Sequence, residues 1–453
     1  MSAGGDKFHL EELAEAFGRK LRPAGLMGWE IYLLGEEGLS VESRSQKLES
    51  MESESLVSLA LRVIDKGRPG FGYSCDFRPE QIERLTSEVL SRARQSDFDP
   101  DQTLPEPGEK TGPLPGIYDQ SFGRKSEREK IERAAAMEKS ALDADSRIKR
   151  VRACEYQETM KEVLIVNSSG LKRKTVSTSC SASISAVAEE GRDAQIASEF
   201  DWSFRYDMLN VEMAGKNVAA KAVAKLGARQ VSSRKAPVIF VSEVAGEFLE
   251  LLSYAVNGES LAKGKTWLKG MTGKKVFSQT LTVIDDGLFF RGPECFPFDG
   301  EGVAAKKKFV VRDGVLKKFI FDSYYASKLA KCSTGNARRD QVAVPPTVGP
   351  TNFYVPAGRQ SFEQLLGAMD SGLVVEEVLG MHMADEITGE YSVGVSGHLV
   401  RKGRLDAPVR GVAIAGNLKD LFARVSDKAC DLKFYRNCAS PSLLIEELEI
   451  SGS

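Results

Sequence analysis

Two groups of residues in this chain have types and spacings suited to chemistry. In the first, Ser242, Glu243 and Glu247 follow the apolar run Pro237-Val238-Ile239-Phe240-Val241 and open a helical pattern. A spacing of four puts both carboxylates on one helical face, where one could act as general base beside metal ligands. In the second, Asp299 and Glu301 lie two apart, so on a strand they would project to one face as a carboxylate pair. Gly300 and Gly302 equally permit a tight turn, in which the Asp oxygens accept local amide hydrogens. Downstream, Ser333-Thr334-Gly335-Asn336, with Arg338 close behind, offers donors able to hold a peptide or an anion, or a structural loop.

Histidine limits the first group. The chain holds only His9, His382 and His398, so no His-Glu-x-x-His motif and no helix with two histidines can be written. Ser242 and Glu247 cannot supply two imidazoles, and a lone Glu leaves too few donors for a tetrahedral zinc with one open position. Capping and packing account for these residues without chemistry. Ser242 is expected at an N-cap, with both glutamates complementing the positive helix end. Val244, Phe248, Leu249, Leu252 and Val256 form a stripe that packs against a sheet.

A series of blocks surrounds that helix in fixed order. They are Thr282-Val283-Ile284-Asp285-Asp286-Gly287, Phe298-Asp299-Gly300-Glu301-Gly302-Val303, Arg312-Asp313-Gly314-Val315-Leu316 and Ser333-Thr334-Gly335-Asn336-Ala337-Arg338-Arg339. Pro350-Thr351-Asn352-Phe353-Tyr354, Ile414-Ala415-Gly416-Asn417-Leu418 and an apolar tail from Pro441 to Ile450 follow. Together they resemble the TldD/PmbA family, in its PmbA (TldE) type, from about residue 10 onward and most specifically after residue 230. The resemblance implies a metalloprotease family in which the TldD subunit carries His-Glu-x-x-x-His and a later cysteine as zinc ligands, while the TldE subunit lacks them. At the matching positions this chain has Ser242, Glu243 and Glu247, so the implied role is that of a non-catalytic subunit without a metal of its own. The implied partner is a TldD-like zinc-bearing subunit or a second copy, and the implied substrate an unfolded peptide. An independent hydrolase using Glu243 without a histidine zinc site, either metal-free or with a metal held by carboxylates such as Asp299 and Glu301, or a structural homodimeric binding module, is the alternative. Cys438 falls where the later cysteine ligand would be, but Arg436-Asn437-Cys438-Ala439-Ser440-Pro441 matches that site poorly and no metal role is assigned to it.

The elements that must position these residues are read from length and pattern. At 453 residues the chain should form two or three domains. We expect an α+β fold: an N-terminal α/β sandwich-like domain over 1–99, a linker over 100–116, a central β-meander with helices over 117–230, and a mostly antiparallel C-terminal domain over 231–453 carrying the strand-helix unit. Pro100, Pro105, Pro107, Pro113 and Pro115 bar helix and interior strand from the linker. Helices are expected over 8–22, 56–64, from Pro79 onward, 127–142 and 211–226. Strands are expected over 28–34, paired in a hairpin with 38–46, and over 149–156, 162–167 and 176–188.

Composition removes other classes. A net charge of -2 gives no global attraction for nucleic acid, and the 42% hydrophobic and 28% charged fractions fit a globular chain. The start Met1-Ser2-Ala3-Gly4-Gly5-Asp6 has no secretory pattern and no apolar run reaches about 18 residues, so no membrane and a cytoplasmic location are expected. Seven cysteines without a Cys-x-x-Cys pair read as reduced thiols. Gly258 to Thr266 imitates a phosphate loop but has five residues between its glycines and follows a helix, so a basic loop is expected instead. Residues 302–340 hold ten Lys or Arg against three Asp, which reads as a solvated strand face or a surface for an acidic partner, not a nucleic-acid site.

Overall fold

The computed structural model describes residues 7–109 and 111–452. The chain opens with helix α1 (Leu10–Leu21), strands β1 (Gly28–Arg44), β2 (Lys47–Asp65) and β3 (Arg68–Ser74), and helix α2 (Pro79–Gln95). After an extended stretch come α3 (Glu127–Ala144), β4 (Ile148–Asn167), β5 (Lys172–Glu190), β6 (Asp193–Ser203) and α4 (Val211–Ala224). The six strands form one sheet in the order β3-β2-β1-β4-β5-β6. β1 pairs with β4 from Glu30↔Asn167 to Glu42↔Glu155, so the segments on either side of residues 100–116 share this sheet.

All four helices lie on one face of it. Strand alternation sends Ile31, Leu33, Leu59, Leu61 and Leu164 under α1 and α2, and Tyr156, Ala182, Ile184 and Ala197 under α3 and α4. Pro79 opens α2 at a position where its missing amide costs nothing, and Ser126 begins α3 with a capping box to Glu129. The opposite face carries Tyr32, Leu34 and Val163 and is covered only in part by the C-terminal half.

Three expectations differ from this sheet. Residues 56–64 are strand, not helix: Leu59 to Ile64 are buried on both faces, and a short run that is apolar except for Arg62 has no periodicity to separate the two. Strand β1 runs unbroken through 28–44, so the hairpin partner is β2, turned by Ser45 and Gln46 at φ of 53° and 58°. Gly35 sits inside β1 because the Phe8 ring fills the space a Cβ would need. Likewise 149–156 and 162–167 are one strand, β4.

The C-terminal half begins with β7 (Arg234–Phe240), α5 (Ser242–Ala255), α6 (Gly258–Ala262), β8 (Val283–Asp286), β9 (Lys307–Arg312) and β10 (Val315–Leu316). There follow α7 (Ser323–Lys328), β11 (Ala337–Arg338), β12 (Thr347–Val348), β13 (Phe353–Tyr354), α8 (Phe362–Gly367) and β14 (Ser371–Leu379). The last elements are β15 (Glu390–Arg401), β16 (Arg404–Asn417), α9 (Leu418–Ala423), β17 (Val425–Lys428), β18 (Cys438–Ala439) and β19 (Leu443–Ser451). One sheet runs β16-β15-β14-β7-β19-β17 and bends until β16 also meets β19; a second runs β10-β9-β8-β13-β18. Pairing is antiparallel except for β7 with β14 and β13 with β18. Helix α5 lies between these sheets, touching β7 and β14 on one side and β13 and β18 on the other. Its Phe248 ring stacks on Phe240 at 4.8 Å and meets Tyr391 edge-on at 5.1 Å. The expected α+β architecture with a strand-helix unit in a mostly antiparallel C-terminal half is therefore present. The stretch 258–266 is not a loop throughout, since Asn257 caps the short helix α6. Among the described residues no helix is long and apolar enough to cross a membrane.

Candidate functional site

The run Pro237–Val241 feeds directly into α5, whose apolar stripe is fully buried at Val244, Phe248, Leu249 and Leu252. That burial fixes the helix roll and leaves Glu243, Glu247 and Glu250 on the opposite, half-buried face. Ser242 is not the N-cap: Val241 holds that position, and the Ser242 hydroxyl donates to the Ser440 carbonyl at 2.7 Å. The hydroxyl is drawn away because the C-terminal stretch 438–440 runs against the first turns of α5. Gly246 permits this approach, since a Cβ there would stand 3.2 Å from the Cys438 carbonyl oxygen.

The glutamates face charges from the first sheet. Glu243 pairs with Lys221 of α4 at 3.0 Å, Lys221 with Glu199 of β6 at 2.7 Å, and Glu199 with Lys433 at 2.7 Å. Both lysines lie over the Tyr435 ring, at 5.5 and 4.5 Å. Burial lowers Lys221's affinity for its proton, but Glu243 and Glu199 outweigh it and hold the ammonium charged well above its usual range. Glu250 pairs with Arg436 at 3.6 Å. Among the described residues the Glu247 carboxylate has no hydrogen-bond or ion-pair partner, and burial, with Glu243 next in effect, pushes it up to about 7.

This geometry answers whether the positions implied by the resemblance fit a zinc ion. They do not. The Ser242 hydroxyl bonds a carbonyl, Glu243 is held by an ammonium, and burial pushes the Cys438 thiol far above its ordinary range. Among the described residues no group of three or more His, Cys, Asp or Glu side chains is arranged to hold a metal.

The second set of candidate residues lies elsewhere. Asp299 closes a turn: its Oδ1 accepts from the Glu301 and Val303 amides and its Oδ2 from Ala337, so the turn reading applies and the strand-face pair does not. Burial, helped by Glu301, pushes Asp299 up to about 7, while Arg62 draws Glu301 down against its own burial. Glu301 accepts from Arg62 at 2.8 Å and from the Ser323 amide at 2.9 Å. Asn336 is wholly buried, donating to Asp285 and Gly349 and accepting from Lys308 and Thr334. The Ser333 hydroxyl donates to the Phe321 carbonyl on the far side of α7 and accepts from the Gly335 amide. Arg338 differs: it pairs with Asp340 at 2.7 Å and Glu294 at 3.5 Å, and acts electrostatically on Cys438.

The basic run 302–340 is not one solvated face. Lys308 is buried against Asp285 at 2.8 Å, and Arg339 turns inward to Glu30 and the Gly300 carbonyl. Sequence reasoning missed Lys221, Glu199 and Lys433, which come from three distant segments and carry no motif. It also missed a cavity of about 640 Å3 between the uncovered sheet face and the C-terminal half. Tyr32, Leu34 and Val163 line one wall, Phe298, Asp299 and Arg338 the other.

Three family models match in order: PmbA/TldA metallopeptidase domain 1 over 29–93, the central domain over 121–226 and the C-terminal domain over 233–452. The chain belongs to the PmbA/TldD metallopeptidase family. It is 31% identical to Metalloprotease PmbA of Escherichia coli O157:H7, over 94% of this chain and 92% of that one. In Buchnera aphidicola subsp. Acyrthosiphon pisum it is similar both to a Metalloprotease PmbA homolog (28%; 94% of this chain, 93% of that one) and to a Metalloprotease TldD homolog (24%; 87% and 86%). Among solved structures it matches a candidate modulator of a DNA gyrase from Thermotoga maritima at 26% identity and TM-score 0.89, covering 98% of this chain and all of that one. It also shares the fold of TldE from Thermococcus kodakarensis, at 23% identity, TM-score 0.86 and the same coverage.

Proposed function

We propose that this chain is the non-catalytic, TldE-type subunit of a two-subunit metalloprotease, holding an extended peptide while a zinc-bearing TldD-like partner cuts it. The observation that carries this reading is the filling of the motif positions on α5: Ser242 bonds Ser440, and Glu243 is paired with Lys221. A general base must be free to take a proton from water, and an ion-paired carboxylate with no metal ligands beside it is poorly suited to that. The reading is supported by relatives named both PmbA and TldD in one Buchnera lineage. Its peptide would bind through main-chain pairing to a sheet edge, where sequence matters little, and the assembly would work in the cytoplasm.

The test is co-purification with a TldD-like protein, followed by peptide hydrolysis by each chain alone and by the pair. Turnover only by the pair, unchanged by Glu243→Gln in this chain, is expected. Zinc-free turnover by this chain alone, abolished by Glu243→Gln, refutes the proposal in favour of an independent hydrolase. A stable self-complex with no turnover alongside any partner refutes it in favour of a homodimeric binding module.

A further inference from the structure

We propose that the outer edge of β2, from Lys47 to Val57, takes an extended peptide segment bearing lysine or arginine side chains as an added strand. This deepens the peptide-holding reading above and rests on it. β2 pairs with β1 along its whole length, from Lys47↔Arg44 to Ile64↔Gly28. On its other side β3 covers only Leu59 to Asp65. Among the described residues no strand lies along the remaining run, which contains no proline and leaves Leu48 and Leu56 45% and 47% exposed. In an antiparallel ladder alternate residues direct their amide and carbonyl groups to one neighbour, so half of this run's main chain points outward unpaired. Such an edge is a template for another strand.

Charge selects what can add. Glu52 and Glu54 project from the same face of the sheet, opposite Ser40 and Gly38, with Glu42 beside them. None of the three forms an ion pair among the described residues, whereas Glu36, Glu37 and Glu49 are matched by Lys161, Lys7 and Arg44. A second copy of β2 laid antiparallel about Ser53 would set Glu52 against Glu54 in both directions, and like charges directly opposite oppose pairing. A strand with basic side chains meets the opposite situation.

Charged edges also serve simply to prevent aggregation, but that role does not explain where this edge leads. Glu52, Glu54, Leu56 and Ser58 share a face with Tyr32, Leu34 and Glu36. The free edge ends where β3 ends, beside the 640 Å3 cavity, whose lining includes Ser58, Tyr73 and Cys75. A segment paired with β2 must leave the ladder at Leu59, where β3 takes over the edge, and a turn there onto the sheet face leads toward the cavity's apolar residues Leu34 and Val163.

The experiment is fluorescence anisotropy on the full chain at low salt with labelled unstructured peptides of about 12 residues, long enough to span one such edge. The probes are a Lys-Thr repeat, a Glu-Thr repeat, and the Lys-Thr repeat N-methylated on every second residue in each of the two frames. We expect the Lys-Thr peptide to bind at least about tenfold tighter than the Glu-Thr peptide. One N-methyl frame should lose about tenfold and the other little, because only alternate amides of an added strand bond to the edge. The Glu52→Lys/Glu54→Lys variant, its fold checked by circular dichroism, should reverse the charge preference. Equal binding of both N-methylated frames and their parent, equal binding of acidic and basic probes, or no binding overturns the proposal. These results leave the paired-activity assay unaffected. Frame-dependent binding without activity alongside any zinc-bearing partner refutes the accessory-subunit reading alone.

Discussion

Lys308 illustrates how a surface-like residue becomes structural. Its ammonium is buried against Asp285, with Thr334 and Asn336 completing its hydrogen bonds at 2.9 and 2.8 Å. Asp285 in turn holds the Thr351 amide at 2.7 Å, so the pair fixes three loops of the C-terminal half. Lys308→Met leaves a buried carboxylate without its counter-charge and should cost about 3–5 kcal/mol, read as a lowered urea midpoint. Glu247 gives the opposite lesson. Its folded carboxyl titrates near 7 against an ordinary value of 4.5, so between these pH values the folded state holds more protons than the unfolded one. Stability from this group is full below about 4.5 and is lost as pH rises to about 7. Glu247→Gln should therefore be more stable than the parent at pH 8 by about 1 kcal/mol, since water screens a half-exposed carboxylate and reduces the full effect. At pH 4 the two should match. Urea midpoints across that range check both the sign and the window.

At the scale of elements, close backbone approach sets the arrangement of helices over the first sheet. Gly215 in α4 lies against α3, where an added Cβ would overlap the Met137 carbonyl oxygen and crowd the Ala141 amide. Backbone cannot yield as a side-chain tip does. Gly215→Val should separate the helices and lower stability by about 1–3 kcal/mol, seen as a reduced thermal midpoint and faster amide exchange in α3 and α4. Helix α5 is positioned by burial: its apolar stripe lies between two sheets, and the charged stripe is what remains to face Lys221 and Arg436. The ion pairs follow from that packing and do not create it.

Over the whole molecule, four buried charges join the first sheet to the C-terminal half. Arg62 of β2 binds Glu30 of β1 at 3.0 Å and Glu301 at 2.8 Å, while Arg339 extends the chain from Glu30 and lies 4.5 Å over Tyr32. Arg62→Met leaves Glu301 buried without its partner and should weaken the join by about 3–5 kcal/mol. Thermal unfolding should then separate into two steps, with new proteolytic cleavage within 97–116; a single unchanged transition would refute the role of these charges. Local chemistry was legible in the sequence. The prolines of 100–116, the Pro79 helix start, the α5 stripe and the lack of paired histidines all follow from residue type and short-range spacing. Strand β2 was misread because its run from Leu59 to Ile64, apart from Arg62, is apolar and buried on both faces, and only the layers above and below distinguish strand from helix. Lys221, Glu199 and Lys433 were invisible because α4, β6 and the stretch before β18 are brought together only when α5 packs between its sheets. Sequence by itself determined which side chains cannot form a two-histidine zinc site. Tertiary structure decided what fills those positions instead, because an ion pair between residues 22 apart in the chain exists only once two layers have met.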